Sequence, residues 1–394
     1  MSKIYCPYAF NAMEITTGGA FSPCCISSKE FKDESGDRYH AGSSSIGKVY
    51  ASSDRRHWIE QFDMNFKTDC KQCWEVEKSG GESKRLREIK YWKLYYDSLG
   101  ERVPVINIDT PLEVLDLKLG NTCNLACATC DPVSSSRWNS IIKGFTGDFP
   151  VQPQRWQDTD DFWEGLNDSI DHVKKIEIAG GEPFMVKKQR VLLDYLIDNN
   201  IAQHVDITWI TNSTHYEQDI VDKFKHFKQV RVMVSLDNTH EQFEYMRYPA
   251  KWDYAYNIFQ KFIKLHRENK IMLGLSYTIS ALNIYRAPDM WQFARDHQTP
   301  IFNNLVMQPF HCKNLPEAYK QIVRERLESV EDPAYQTNPA VGKDNWLVNF
   351  LMQPADTDEY TRNSIKHRMD LVTRSRPGLG ETAFPELVGI WEGL

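Results

Sequence analysis

Three thiols fall within eight residues in "KLGNTCNLACATCDP": Cys123, Cys127 and Cys130, spaced C-x3-C-x2-C. Thiolates are ligands of structural zinc and of iron–sulfur clusters. Structural zinc takes four donors, usually as two C-x-x-C pairs or as Cys with His, so a trio is one donor short. A four-iron cube on three thiolates keeps one iron open to a small chelating ligand. An open coordination position is what a catalytic site needs. The bland alternative is zinc completed by a ligand from elsewhere.

A second set lies earlier in the chain. Cys70 and Cys73 form the C-x-x-C of "DCKQCWEVE", and Cys6 and Cys24 precede them, with Cys25 adjacent to Cys24. Four thiolates suffice for a closed site, zinc or cluster. Cys25 is an alternative ligand to Cys24 or Cys6, because neighbouring cysteines are equivalent in sequence. Cys312, in "PFHCKN", reads as a buried thiol. Eleven histidines show no metal-ligand spacing, and His311 beside Cys312 is the one worth testing.

These groups need a frame. Apolar, β-branched runs "LEVLDLKLG", "KKIEIAGG", "VDITWITNS", "VRVMVSLDN", "MLGLSYTIS" and "FNNLVMQP" alternate with helical patterns such as "WDYAYNIFQKFIKLHREN". That alternation predicts an α/β fold with a parallel sheet and helical crossovers. Six units fit an open, partial (β/α)6 TIM-like barrel better than a closed eight-unit one. Chemistry in such sheets gathers at the strand C-terminal ends. Cys123 and the "GGEP" of Gly180–Pro183 each follow a strand there. The expected domains are residues 1–92, cysteine-bearing and irregular; a linker over 93–110; the barrel over 111–312; and a helical C-terminal extension over 313–394. The loop 146–165 is long for a first crossover and is expected to cover the site. The tail "SRPGLGETAFPELVGIWEGL" is expected to close the open side of the barrel.

"CNLACATC" resembles the cluster loop of the radical S-adenosylmethionine (SAM) superfamily, and "GGEP" resembles its glycine-rich motif facing the SAM amine. The resemblance implies a 4Fe–4S cluster on Cys123, Cys127 and Cys130, with SAM chelating the open iron. Reductive cleavage of SAM would then give methionine and a 5′-deoxyadenosyl radical that abstracts substrate hydrogen. It further implies that Gly180, Gly181, Glu182 and Pro183 bind SAM. Ser235 of "VSLDN" would contact the SAM carboxylate or ribose, and Arg247 of "YMRYP" the carboxylate through a charge-assisted bond. Asn212 of "WITNS" would meet ribose or substrate, and Asp237 the substrate. Thr129 stands where the family usually has a large apolar or aromatic residue near the adenine.

"GGAFSPCC" together with "DCKQCWEVE" and Cys6 resembles the twitch domain, the short form of the SPASM extension. In most relatives that module follows the barrel; here it precedes it. The resemblance implies an auxiliary 4Fe–4S cluster on Cys6, Cys24, Cys70 and Cys73. It also implies an oxidoreductase acting on a peptide or peptide-like substrate, with a reductant such as flavodoxin or ferredoxin. The alternatives are a small metabolite, sugar or nucleoside substrate, and a non-catalytic zinc or iron–sulfur scaffold.

The bulk properties narrow the partners. A formal charge of −7 over 394 residues argues against bulk electrostatic binding of duplex nucleic acid or anionic membrane. No stretch reaches the roughly 18 apolar residues of a membrane span. The start carries no basic-then-apolar leader, so the cytoplasm is the expected compartment.

Overall fold

The computed structural model describes residues 4–78, 82–152, 155–167, 169–306, 309–330, 346–356 and 358–390. Pro153 and Gln154 of the long crossover loop and the last four residues of the tail lie outside them.

Among the described residues, eight strands form one sheet. They are β1 (Ala12–Ile15), β2 (Phe21–Ser22), β3 (Val114–Lys118), β4 (Lys175–Ala179), β5 (Asp206–Thr211), β6 (Gln229–Ser235), β7 (Met272–Ile279) and β8 (Ile301–Leu305). The order is β2–β1–β3–β4–β5–β6–β7–β8. β1 pairs antiparallel with β2, while β1–β3, β3–β4, β4–β5 and β7–β8 are parallel. The fold is α/β with a mostly parallel sheet, consistent with a partial barrel. The six apolar runs of the sequence become β3 to β8. The N-terminal stretch, expected to be irregular, adds β1 and β2. "AMEI" is too short to display a period; its place comes from register with β3, Ala12 opposite Val114 and Ile15 opposite Leu117.

The chain packs as two compact units. The first comprises residues 1–122, 153–209 and 217–231. Its helix α1 (Lys84–Ser98) starts where the Ser83 hydroxyl accepts the Leu86 N–H at 3.3 Å. α1 buries Trp92, Tyr95 and Tyr96 with Tyr8, Ala12, Ile106 and Val114, and Cys6 and Cys24 pack against this cluster. Aromatic side chains bury large areas each, which anchors the thiol-bearing segment.

The second unit comprises residues 123–152, 210–216 and 232–394. Helix α2 (Ser136–Thr146) is capped by Ser135, whose hydroxyl accepts from Trp138 N–H and donates to the Leu125 carbonyl at 2.5 Å. α2 ends at Gly147, which takes the left-handed conformation its lack of Cβ permits (φ +89°). Helix α3 (Glu359–Ser375) is capped by Asp358, whose carboxylate accepts the Thr361 N–H at 2.8 Å. Its buried stripe of Thr361, Ile365, Leu371 and Val372 includes one cation, Arg368. Among the described residues, no helix is long and apolar enough to cross a membrane.

Candidate functional site

In the second unit, Cys123, Cys127 and Cys130 are half-buried in the loop before α2. The loop backbone is held from several sides. Ala126 N–H donates to the Tyr248 carbonyl at 2.6 Å and Ala128 N–H to Met246 at 2.7 Å. Trp138 Nε1 donates to the Cys127 carbonyl at 2.8 Å, and Cys123 N–H to the Ser136 hydroxyl at 3.1 Å. Burial, followed by the neighbouring Cys127, Asp131 and Cys123, pushes the Cys130 thiol well up. A metal would relieve this by taking the three thiols as thiolates. Thr129 is half-buried between them.

The remaining second-unit candidates divide. Asn212 Nδ2 lies 3.8 Å from Cys123 Sγ and donates to Asn124 Oδ1 at 3.2 Å, which puts it against the thiol loop. Arg247, buried, pairs with Asp237 at 3.0 Å. Asp237, Cys127 and Cys123 together hold the guanidinium above its ordinary range despite burial. Its Nε is buried with no hydrogen-bond partner among the described residues. An unused donor beside thiols suits an anion, so the donor set fits an anionic cluster or a carboxylate. Asp237 also accepts the Thr278 N–H at 3.0 Å and so joins Arg247 to β7. Ser235 ends β6, half-buried.

Two residues that sequence reasoning missed complete this half. Arg368 Nε donates to the Ala128 carbonyl at 3.3 Å, and its Nη2 reaches Cys127 O at 3.4 Å. Arg376 Nη2 donates to the Ala126 carbonyl at 2.6 Å, and its Nη1 donates to that of Tyr245. Burial lowers Arg376 to about 10, against the pull of Tyr245 and Cys127.

In the first unit, the glycine turn after β4 has a steric cause. A Cβ on Gly181 would sit 2.2 Å from the Thr122 carbonyl oxygen, and Gly180 has φ +119°. Two bonds fix the approach: Gly181 N–H to Gly120 O at 3.0 Å and Glu182 N–H to Thr122 O at 2.8 Å. Glu182 is fully buried and accepts the Phe184 N–H at 3.1 Å, and Pro183 opens the short turn Pro183–Met185.

The N-terminal thiols lie on separate short elements of the first unit. Cys6 caps the helix Pro7–Asn11, Cys24 follows β2, Cys70 ends the helix Phe62–Asp69 and Cys73 lies in the helix Lys71–Lys78. Ser28 N–H donates to the Asp69 carbonyl at 2.8 Å, which ties the Cys24 segment to the Cys70 segment. Burial and then the neighbouring Cys73 push Cys6 up to about 12. Burial, Cys6 and Cys73 do the same to Cys70. Cys24 is raised by burial, Cys25 and Cys6. Arg85 faces Cys6 and Cys73 while gripping Glu77 through two bonds of 2.9 and 2.6 Å. Cys25 is exposed and faces Lys84, Asp116, Lys118 and Glu177 instead. Among the described residues, no three His, Cys, Asp or Glu are arranged to hold a single metal ion. Cys312 is buried, as expected of it from the sequence.

Residues 117–284 match the radical SAM superfamily. The matched region contains the three-cysteine loop, the glycine turn, Asn212, Ser235 and Arg247. The match supports a likeness to that superfamily over this region. No curated protein matches the chain. Among solved structures, anSMEcpe with bound AdoMet is 14% identical over 55% of this chain and 57% of its own, with a TM-score of 0.40. The chain thus spans a little over half of that protein's length. Streptococcus suis SuiB bound to the precursor peptide SuiA is 11% identical over 83% of this chain and 70% of its own, with a TM-score of 0.38.

Proposed function

We propose that this chain is a radical SAM oxidoreductase with an auxiliary 4Fe–4S cluster, acting on a peptide or peptide-like substrate. The observation that carries the reading is the C-x3-C-x2-C loop inside the superfamily match. Cys123, Cys127 and Cys130 would hold the catalytic cluster. When bound, that cluster supplies the electron that splits SAM, and the adenosyl fragment takes a hydrogen atom from substrate. Arg247 would bind the SAM carboxylate through its unused Nε and keep its pair with Asp237. Asn212, beside Cys123, would contact ribose or substrate. Ser235 would contact the SAM carboxylate or ribose, and Gly180, Gly181, Glu182 and Pro183 the SAM amine. Arg368 and Arg376 fix the loop carbonyls, so the loop backbone is held before any metal binds.

For the auxiliary cluster the supporting observations are that Cys6 and Cys24 pack against one aromatic cluster and that the Ser28–Asp69 backbone bond ties the Cys24 segment to the Cys70 segment. Cys25 faces a charged row instead, which favours Cys24 as the ligand. Four thiolates would leave no open iron, which suits passage of an electron from the substrate radical. The test is anaerobic reconstitution. Two clusters predict about eight irons per chain, charge-transfer absorption and 5′-deoxyadenosine release on reduction. Colourless protein carrying two zincs and inert toward SAM would rule the reading out.

A further inference from the structure

The first unit contains a row of charges that the chemistry above does not use. Register places Glu14 of β1 opposite Asp116 of β3, and Asp116 opposite Glu177 of β4. Lys84, Glu88, Lys118 and Lys175 pack around them. Each lysine has an acid partner. Lys84 pairs with Glu177 at 3.3 Å, Lys175 with Glu88 at 2.9 Å and Glu177 at 3.0 Å, and Lys118 with Asp116. The four carboxylates exceed the three ammonium groups by one. The surplus is Glu14, which is 5% exposed and makes no hydrogen bond or ion pair among the described residues. Asp116, 1% exposed, leaves Oδ2 without a partner. The spare capacity is therefore all acceptor, in a place where an unmet acceptor is costly. Beside this row lies Cys25, whose side chain is exposed.

We propose that Glu14 and Asp116 bind a primary ammonium group of the substrate, such as a lysine side chain. This deepens the peptide reading and rests on it. An ammonium brings three donors and the one positive charge the row lacks, whereas an anion would find every lysine already paired. In the empty site a proton takes the cation's place. Glu14 is raised to about 7, first by burial and then by Asp116, against Lys118, Lys84 and with a smaller push from Glu177. Binding a cation therefore expels that proton.

The test is isothermal titration calorimetry on the reconstituted full chain with Nα-acetyl-lysine methylamide, and with the norleucine analogue as a neutral control. At pH 6.5, runs in two buffers of different ionisation enthalpy count the protons released. We expect the lysine probe to bind at least tenfold tighter than norleucine and to release most of one proton. Glu14→Gln and Asp116→Asn should each weaken it tenfold or more, and Glu14→Gln should abolish the release. Equal binding of both probes, or no proton release by wild type, overturns the site; the latter readout decides even if the variants do not fold. Neither readout involves SAM. A chain that binds the probe but yields no 5′-deoxyadenosine keeps this site and loses the radical reading.

Discussion

Arg376 Nη2 donates to the Ala126 carbonyl at 2.6 Å across 250 positions of chain. The same guanidinium bridges to the Tyr245 carbonyl, so one side chain clasps two backbone acceptors. Lysine keeps the charge but lacks the planar fork that serves both. Arg376→Lys should lower the unfolding free energy by about 1–3 kcal/mol, the cost of a buried acceptor left unmet. Denaturant titration measures this, and an unchanged midpoint and slope would remove Arg376 from the loop's support. Iron uptake by the variant should also fall.

The three-cysteine loop and the glycine turn are legible in sequence because their chemistry is local: ligand type and spacing lie within a few residues. The six apolar runs of β3 to β8 are legible for the same reason. Arg368 and Arg376 are not, since they bind carbonyls, which every residue has. The signal available is a cation on a buried stripe, with Arg368 three positions from both Ile365 and Leu371. The charged row left a clearer trace. Parallel strands covered on both faces read as apolar runs, and Asp116 and Lys118 interrupt one. Glu14 leaves none, because β1 has only four residues and owes its register to β3.

Cysteine substitutions should separate the two thiol sets. Cys127→Ala removes one of three ligands in the loop, so 5′-deoxyadenosine formation should be abolished. Cys70→Ala leaves that loop intact and should retain some SAM cleavage while blocking net substrate turnover. Deoxyadenosine and product are quantified in the same anaerobic assay. Full turnover by the Cys70 variant would leave the N-terminal set with a structural role at most.

Two glycines give a matched steric test. A Cβ on Gly181 would overlap the Thr122 carbonyl at 2.2 Å, and that neighbour is rigid backbone rather than a mobile side chain. Gly181→Ala should therefore destabilise by about 1–3 kcal/mol, as overpacking does. Gly144, inside α2, has open space where an alanine methyl would sit, with nothing within 4 Å. Gly144→Ala should stabilise by about 0.5–1 kcal/mol through helix propensity. Thermal melts of both variants check the contrast, and equal shifts of the same sign would refute it.

Two buried groups should oppose each other in acid. His311 is lowered to about 4 by burial, then by Lys313, and its Nδ1 accepts the Lys313 N–H at 3.1 Å. The unfolded chain takes the proton first, near pH 6.5, so His311 costs stability as pH falls from 6.5 to 4, roughly 3 kcal/mol in all. Glu14, raised to about 7 from 4.5, does the reverse. The folded chain takes its proton first, so its contribution grows by roughly 3 kcal/mol as pH falls from 7 to 4.5. The two nearly cancel in wild type. Relative to wild type, His311→Asn should gain stability between pH 6.5 and 4.5, and Glu14→Gln should lose it. Denaturant titrations at pH 7.5, 6 and 5 read both differences. A variant whose difference from wild type stays flat across that range would show that its group titrates normally in the folded chain.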